Sequence, residues 1–328
     1  MKALVCESYG PIDDLQVKDI ALPVPGPGQL LIKVVAAAVN FPDALIVQGM
    51  YQIKPTLPFT PGGEMAGTVV ATGLGVTQRQ VGDRVIAYTG TGGFAEFCLA
   101  DAASSVALPE GRSFETGAAL VLTYCTSLHG LKDCGHLQAG ETLVVLGAAG
   151  GVGVAAIEIG KAMGARVIAA ASSEEKLALC RKLGADATIN YQSENLKERI
   201  LALTDGRGAD VVYDPVGGAY TEQAVRALAW RGRLLVVGFA AGDIPKIALN
   251  LALLKERSLV GVYWGDAIRH HPQQHQDNLR QLTEWLQAGV IDPVISQRFS
   301  LDKAKDAIKL MAGRGAQGKI VVLPSDCA

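Results

Sequence analysis

The sequence predicts an α/β protein in which a doubly wound parallel sheet, covered by helices, is joined to a mostly β domain. Three observations predict it. From about Thr123 short apolar strands alternate with helix-like segments, the pattern of a parallel sheet. From Lys2 to about Leu122 the chain instead shows short β-type runs broken by Gly and Pro. At 328 residues it is too long for one ordinary core and suits two domains.

In the first part, LLIKVVAAAV (Leu30 to Val39), MAGTVVATG (Met65 to Gly73) and DRVIAY (Asp83 to Tyr88) read as strands of a barrel or sandwich, and PVPGPGQ (Pro23 to Gln29) as a loop. In the alternating part, ETLVVLG is a strand and VGVAAIEIGKAMG a helix ending at Gly164. ARVIAAA is the next strand, and SEEKLALCRKLG a helix with Gly184 past its end. ATINY, ADVVYD, GRLLVVG and SLVGVYW read as further strands and NLKERILALT as a helix. The remainder, with helix-like QDNLRQLTEWLQAG and SLDKAKDAIKLMAG and a final KIVVL, is expected to return to the first domain.

Hydrophobic residues make up 49% and charged residues 19%, which fits a well-buried globular chain and not a disordered one. A net charge of −2 with no basic stripe excludes an electrostatic nucleic-acid binder. MKALVCESYG meets a charge too soon for a signal peptide, and the apolar run Val34 to Val39 is far too short to cross a membrane. The expectation is a cytoplasmic protein. Its six cysteines (Cys6, Cys98, Cys125, Cys134, Cys180, Cys327) are irregularly spaced, as reduced thiols would be. No C-x-x-C pair offers ligands for a structural zinc lobe.

The stretch LGAAGGVGVA, Leu146 to Ala155, holds four glycines and no charge. It is either a grip for a dinucleotide or a corner where a helix packs close to a strand. Context favours the grip, because the glycines follow a strand, open a helix and precede a second strand ending about twenty residues on. Gly147 ends the strand, Gly150 and Gly151 make the turn, and Val152 and Gly153 lie at the start of the helix. There, free N–H groups meet a pyrophosphate. The second strand ends AAASSEEK, with Ala171, Ser172 and Ser173 where an NAD site usually carries a carboxylate. Hydroxyls and Lys176 would instead accept a 2′-phosphate, so NADPH is expected over NADH. Lys176 has the alternative of a solvated surface lysine. Glu174 and Glu175 come late and complement the helix dipole.

LGAAGGVG followed by ASSEEK, with AVNFPD, LTYCTSLHGL, GADVVYDPVGG and VVGFAAG, resembles the quinone oxidoreductases related to zeta-crystallin, a non-zinc branch of the medium-chain dehydrogenase/reductase superfamily. The resemblance runs from MKA at the start to QGKIVVL near the end. It implies a GroES-like β domain built from both chain ends with a Rossmann NADPH-binding domain between. The expected boundaries are 1–123, 124–262 and 263–328. It implies cofactor contacts at Asn40, Thr123, Gly150, Val152, Gly153, Ser172, Lys176, Tyr191, Phe239 and Arg314. Tyr191 and Arg314 would join Lys176 around the 2′-phosphate. The strand SLVGV resembles the one through which family members pair, implying a homodimer.

Zinc alcohol dehydrogenases of the same superfamily hold a catalytic metal with Cys, His and Glu or Cys. Here the resemblance places Asn40 at the first ligand position and GGE (Gly62, Gly63, Glu64) at the GHE-like motif, so cysteine and histidine are both missing. CTSLHGLKDCGH offers Cys125, His129, Cys134 and His136, but at no common zinc spacing, and HHPQQH (His270 to His275) reads as a polar loop and helix start. No metal is expected.

Without a metal, hydride transfer to a simple ketone lacks the Lewis acid its alkoxide needs. A quinone gives a phenolate-like anion near the basicity of tyrosine, pKa ~10, and an activated alkene gives a delocalised enolate. Hydrogen-bond donors and alignment suffice for either. The resemblance places Asn40 and Tyr51 as such donors, with Asp43 orienting their loop. Asn40 could alternatively cap the backbone, and Tyr51 could be a surface tyrosine. The expected function is NADPH-dependent reduction of quinones. Its alternatives are reduction of enals, enones or acrylyl thioesters, and an NADPH-binding protein with a mainly structural role.

Overall fold

The computed structural model describes residues 1–324, so Cys327 lies outside the described residues. The chain forms two compact units, one of residues 1–122 together with the chain from Pro293 on, the other of residues 123–292.

In the first unit β1 (Lys2–Val5) pairs antiparallel with β2 (Gln16–Asp19). There follow β3 (Gln29–Val39), α1 (Phe41–Val47), β4 (Glu64–Thr72), β5 (Arg84–Tyr88), β6 (Phe97–Asp101), β7 (Ser105–Ala107) and α2 (Phe114–Ala118). The long apolar run of β3 is explained by its position, since β4 and β6 both pair with it antiparallel and most of its side chains are buried.

The unit boundary falls within α3 (Val121–Leu128), which runs on into a π-helical turn, His129–Cys134. Next come β8 (Thr142–Leu146), α4 (Gly151–Ala162), β9 (Arg166–Ala171), α5 (Glu174–Lys182), β10 (Ala187–Asn190) and α6 (Leu196–Leu203). The unit continues with β11 (Ala209–Asp214), α7 (Ala219–Arg226), β12 (Leu228–Val236), α8 (Asn250–Leu253), β13 (Ser258–Gly261), α9 (Trp264–His270) and α10 (Pro272–Ala288). All six strands are parallel, in the order β10-β9-β8-β11-β12-β13. This is the doubly wound arrangement expected from the alternating pattern. The strand order reverses between β8 and β11, and a sheet of this kind binds ligands at the carboxyl ends of such strands. β13 is an edge strand. Every residue of β8 is buried, which accounts for its unbroken apolar run.

The last segment adds β14 (Ile295–Ser300), α11 (Ala304–Ala312) and β15 (Lys319–Leu323) to the first unit. β15 lies between β14 and β3, and its register sets Ile320 opposite Val39. On the other side of β3, Ala38 faces Glu64. These two registers bring Lys319, Asn40 and Glu64 to one end of three adjacent strands.

The return to the first unit begins at Pro293 and not near 263 as the sequence suggested. α10 is held in the second unit by hydrogen bonds from Lys132 Nζ to Asn278 and Gln281, and from Asn278 to Asp133. The Asp292 amide donates to Glu158 Oε1 at 3.1 Å. Among the described residues no helix is long and apolar enough to cross a membrane.

Glu158, on α4, also accepts from Tyr124 Oη at 2.5 Å. Burial pushes its carboxyl from an ordinary 4.5 up to about 7, against the pull of these two hydrogen bonds. The folded state therefore keeps a proton that the unfolded chain releases at lower pH. The stability this group contributes is complete below its unfolded pKa and is lost as pH rises through about 7. Asp43, raised to about 7 by burial, acts in the same direction. Thermal melts of Glu158→Gln should show a shallower fall of Tm with rising pH across this window. An unchanged slope would rule Glu158 out as its source.

Candidate active site

In the first unit four polar side chains are buried where β3 gives way to α1. They are Asn40, Asp43, Glu64 and Lys319, all at most 4% exposed. Lys319 Nζ donates to Glu64 Oε1 at 2.8 Å and also to Asn40 Oδ1. Asn40 Nδ2 donates to the same Glu64 oxygen at 2.8 Å and reaches Ala38 O only at 3.4 Å. Glu64 Oε2 accepts from the Leu122 amide at 2.7 Å. Charge and hydrogen bonds thus compensate each other at buried side chains, the condition on which a buried ion pair is tolerated. Asp43 Oδ2 accepts the Asn40 amide at 2.7 Å and so fixes the turn that opens α1. Burial raises Asp43, while the Asn40 and Gly62 amides and the Lys319 ammonium pull it down.

This set does not fit a catalytic zinc. Such a site takes thiolate, imidazole and carboxylate donors, whereas here the carboxylate of Glu64 carries an ammonium and two N–H donors. Among the described residues no three His, Cys, Asp or Glu side chains form a group able to hold a metal ion. Tyr51 is half-buried in the irregular segment after α1.

In the second unit the glycine turn joins β8 to α4, at the carboxyl edge of the parallel sheet. The first intrahelical bond runs from Val154 N to Gly150 O at 2.8 Å, so the amides of Gly151, Val152 and Gly153 precede the helical ladder. A Cβ on Gly153 would lie 2.4 Å from Gly147 O and 2.7 Å from the Ala148 backbone, whereas one on Gly150 would meet only Gly147 O, at 3.4 Å. Gly153 is therefore required by helix–strand packing, and Gly150 leaves open space over the turn. These unladdered amides and that space fit a dinucleotide pyrophosphate. Gly147 takes φ +57°, and a Cβ there would meet Val216 Cγ2 at 2.9 Å.

At the end of β9, Lys176 Nζ donates to Ser172 Oγ at 3.3 Å, and Tyr191 N donates to Ala171 O at 3.2 Å. Ser172, Lys176 and Tyr191 thus gather at one strand end, with the Tyr191 ring 4.4 Å from that of Tyr220. Glu174, the first acid after the strand, is tied to Arg181. Thr123 is buried in α3, and Phe239 is exposed beside Gly217. Arg314 lies after α11 in the first unit, at φ +58°.

The sequence reasoning missed two residues. Lys319 stood only as the first letter of an apolar strand. Asp214 ends β11, where it accepts the Val216 and Gly217 amides at 2.9 Å each and the Thr221 hydroxyl at 2.6 Å. It holds the turn that packs against Gly147.

The model of an alcohol dehydrogenase GroES-like domain matches residues 26–110, and that of a zinc-binding dehydrogenase matches residues 151–288. A quinone oxidoreductase-like protein 2 homolog from Nematostella vectensis is 40% identical over 300 residues, covering 90% of this chain and 82% of its own. The structure of Escherichia coli quinone oxidoreductase complexed with NADPH matches with a TM-score of 0.91 at 27% identity, covering 99% of this chain and 100% of that one. The CurK enoyl reductase structure matches with a TM-score of 0.89 at 29% identity, over 98% of both chains.

Lys319→Met would leave the Glu64 carboxylate buried without its cation and should cost about 3–5 kcal/mol in urea unfolding. Adding Glu64→Gln removes the orphaned charge, and its one carbonyl oxygen keeps an acceptor for either Asn40 or the Leu122 amide, so it should recover part of that loss. A double variant no more stable than Lys319→Met would show that charge pairing is not what this cluster contributes.

Proposed function

The chain belongs to the medium-chain dehydrogenase/reductase superfamily, in its quinone oxidoreductase group, and on that premise we propose that it is an NADPH-dependent reductase of quinones that works without zinc. The observation that carries the proposal is the buried Lys319–Glu64–Asn40 cluster, which puts an ammonium and an amide where a metal centre would need thiolate and imidazole.

NADPH, when bound, supplies the hydride. The chain's own contribution begins with holding it: the amides of Gly151, Val152 and Gly153 take the pyrophosphate, and Ser172 and Lys176 take the 2′-phosphate. Glu174, the first acid after the strand end, is engaged by Arg181. Tyr51 and Asn40 supply donors to the acceptor's oxygen, Asn40 through the Nδ2 hydrogen that is only weakly held by Ala38 O. Asp43 orients them by fixing the Asn40 backbone. Donors of this strength suit an oxygen that becomes a phenolate with pKa ~10 and not one that becomes an alkoxide. The likeness to CurK enoyl reductase favours activated alkenes as the second reading, since the enolate they form makes the same modest demand.

Lys176→Ala should weaken NADPH by tenfold or more, the loss of a charge-assisted hydrogen bond of roughly 1.5–3 kcal/mol, and leave NADH nearly unchanged. Gly150→Ala should keep the melting temperature while weakening both cofactors. Titrations giving equal losses of NADPH and NADH for Lys176→Ala would remove the 2′-phosphate assignment.

Oxidation of NADPH and NADH should be followed side by side with 1,4-benzoquinone, an enone and a simple ketone. Fast turnover of the quinone with NADPH preferred is the expected result. Turnover confined to the enone would move the function to alkene reduction, and ketone turnover would overturn the metal-free chemistry.

A further inference from the structure

The second unit contains a cluster that the proposed reduction does not use. His129, Asp133 and Cys134 lie on the π-helical turn His129–Cys134, marked by the i to i+5 bond from Gly135 N to Gly130 O at 2.8 Å. In an α-helix position i+5 lies about 140° round the cylinder from i. The wider π turn brings it back beneath residue i, so one imidazole meets both the i+4 and the i+5 side chains. His129 Nδ1 is 3.0 Å from Asp133 Oδ2, and His129 Nε2 is 3.4 Å from Cys134 Sγ.

The support behind this line is built from another element. Asn278 Nδ2, on α10, donates to Asp133 Oδ2 at 2.7 Å, and Lys132 Nζ donates to Asn278 Oδ1 at 3.1 Å. The bond to Asp133, followed by that to Cys134, raises His129 to about 9 despite the burial of its ring. Cys134 is half-exposed, while Cys6, Cys98, Cys125 and Cys180 are buried. Burial pushes Cys98 and Cys180 up to about 12. A recess lined by His129, Asp133, Trp264, Ile268 and His275 opens on the imidazole, and the Nδ1 atom of His275 is buried there without a hydrogen-bond partner among the described residues.

We propose that Cys134 is a base-assisted nucleophilic thiol, a modification site for soft electrophiles of the quinone and conjugated-carbonyl class. The thiol proton passes to His129 Nε2, with Asp133 holding the imidazolium through Nδ1. The sulfur electron pair forms a C–S bond to the alkene carbon β to the carbonyl. The alkene π pair moves to the carbonyl oxygen, which takes the proton back from His129. With a quinone the adduct then tautomerises to a hydroquinone thioether, the ring proton leaving carbon for the second oxygen. The ring gains two electrons from the sulfur pair, and no further oxidant or reductant enters. The inference is independent of the NADPH reading, because the addition needs no cofactor.

The test uses the full chain carrying Cys327→Ser, without NADPH, treated with 1,4-benzoquinone and, separately, N-ethylmaleimide. Digestion and mass spectrometry give the rate of adduct formation at each cysteine. Cys134 should be labelled first, at least about tenfold faster than glutathione at the same pH, and about tenfold slower in His129→Gln. Asp133→Asn should show the same slowing and replaces His129→Gln where melting curves show that variant unfolded. Labelling of Cys134 no faster than glutathione, or unchanged in the folded variant, overturns the proposal.

Discussion

Lys319 and Glu64 form a buried pair that ties together three strands of the first unit. Lys319 begins β15, Glu64 begins β4, and Asn40 directly follows β3, the long strand between them. Each would be costly alone: an unpaired ammonium or carboxylate in such a place costs several kcal/mol. Together with the Leu122 amide they satisfy one another, and doing so pins positions more than two hundred residues apart to a common point. The discontinuous unit follows from this, because the β14–β15 segment must return to β3 for the pair to close. Packing of Ile320 and Val322 against β3 supplies the apolar half of the same junction.

The glycine turn raises a question that composition cannot answer, since glycine serves close packing and ligand approach equally. Geometry divides the two duties between different residues. Gly153 sits so close to the Gly147 carbonyl that any side chain would drive α4 off β8, which is a packing requirement whatever binds. Gly150 meets no such wall, so its missing side chain matters for what approaches from outside. The turn is therefore both a corner and, on the proposed reading, a grip. Asp214 completes it from the neighbouring strand by holding the Val216–Gly217 turn against Gly147.

Most of the second unit was legible from the sequence because its signals are local. Apolar runs such as ETLVVLG are buried strands, and glycines fall past the ends of the helices that precede them. The boundary near residue 263 was misplaced because α10 is kept in that unit by side-chain bonds from Asn278 and Gln281, which no periodicity reveals. The site was only half legible for the same reason. Asn40 and Glu64 drew attention at the positions of a metal-binding pattern and Asp43 through the family resemblance, but Lys319 acquires its meaning solely from strand register. His129 and Cys134 were noticed as possible ligands. Asp133 meets His129 at ordinary i+4 spacing, but Cys134 at i+5 depends on the π turn, and at α-helical spacing the sulfur would not have met the ring.

An ammonium buried beside a carboxylate is not a substitute Lewis acid. Lys319 Nζ donates to Glu64 and Asn40 within the protein, so its charge steadies the Asn40 amide. A metal keeps an open coordination position for an acceptor oxygen, and this cluster keeps none. On the proposed reading the anion formed by hydride addition relies on its own delocalisation beside the Tyr51 and Asn40 donors, which favours conjugated carbonyls and quinones as acceptors. These compounds are also soft electrophiles toward sulfur. A reductase of the proposed kind would meet its acceptors in the presence of its own thiols, and four of the five described cysteines are buried. Cys134 is the exception, and it is the one placed beside an imidazole and a carboxylate.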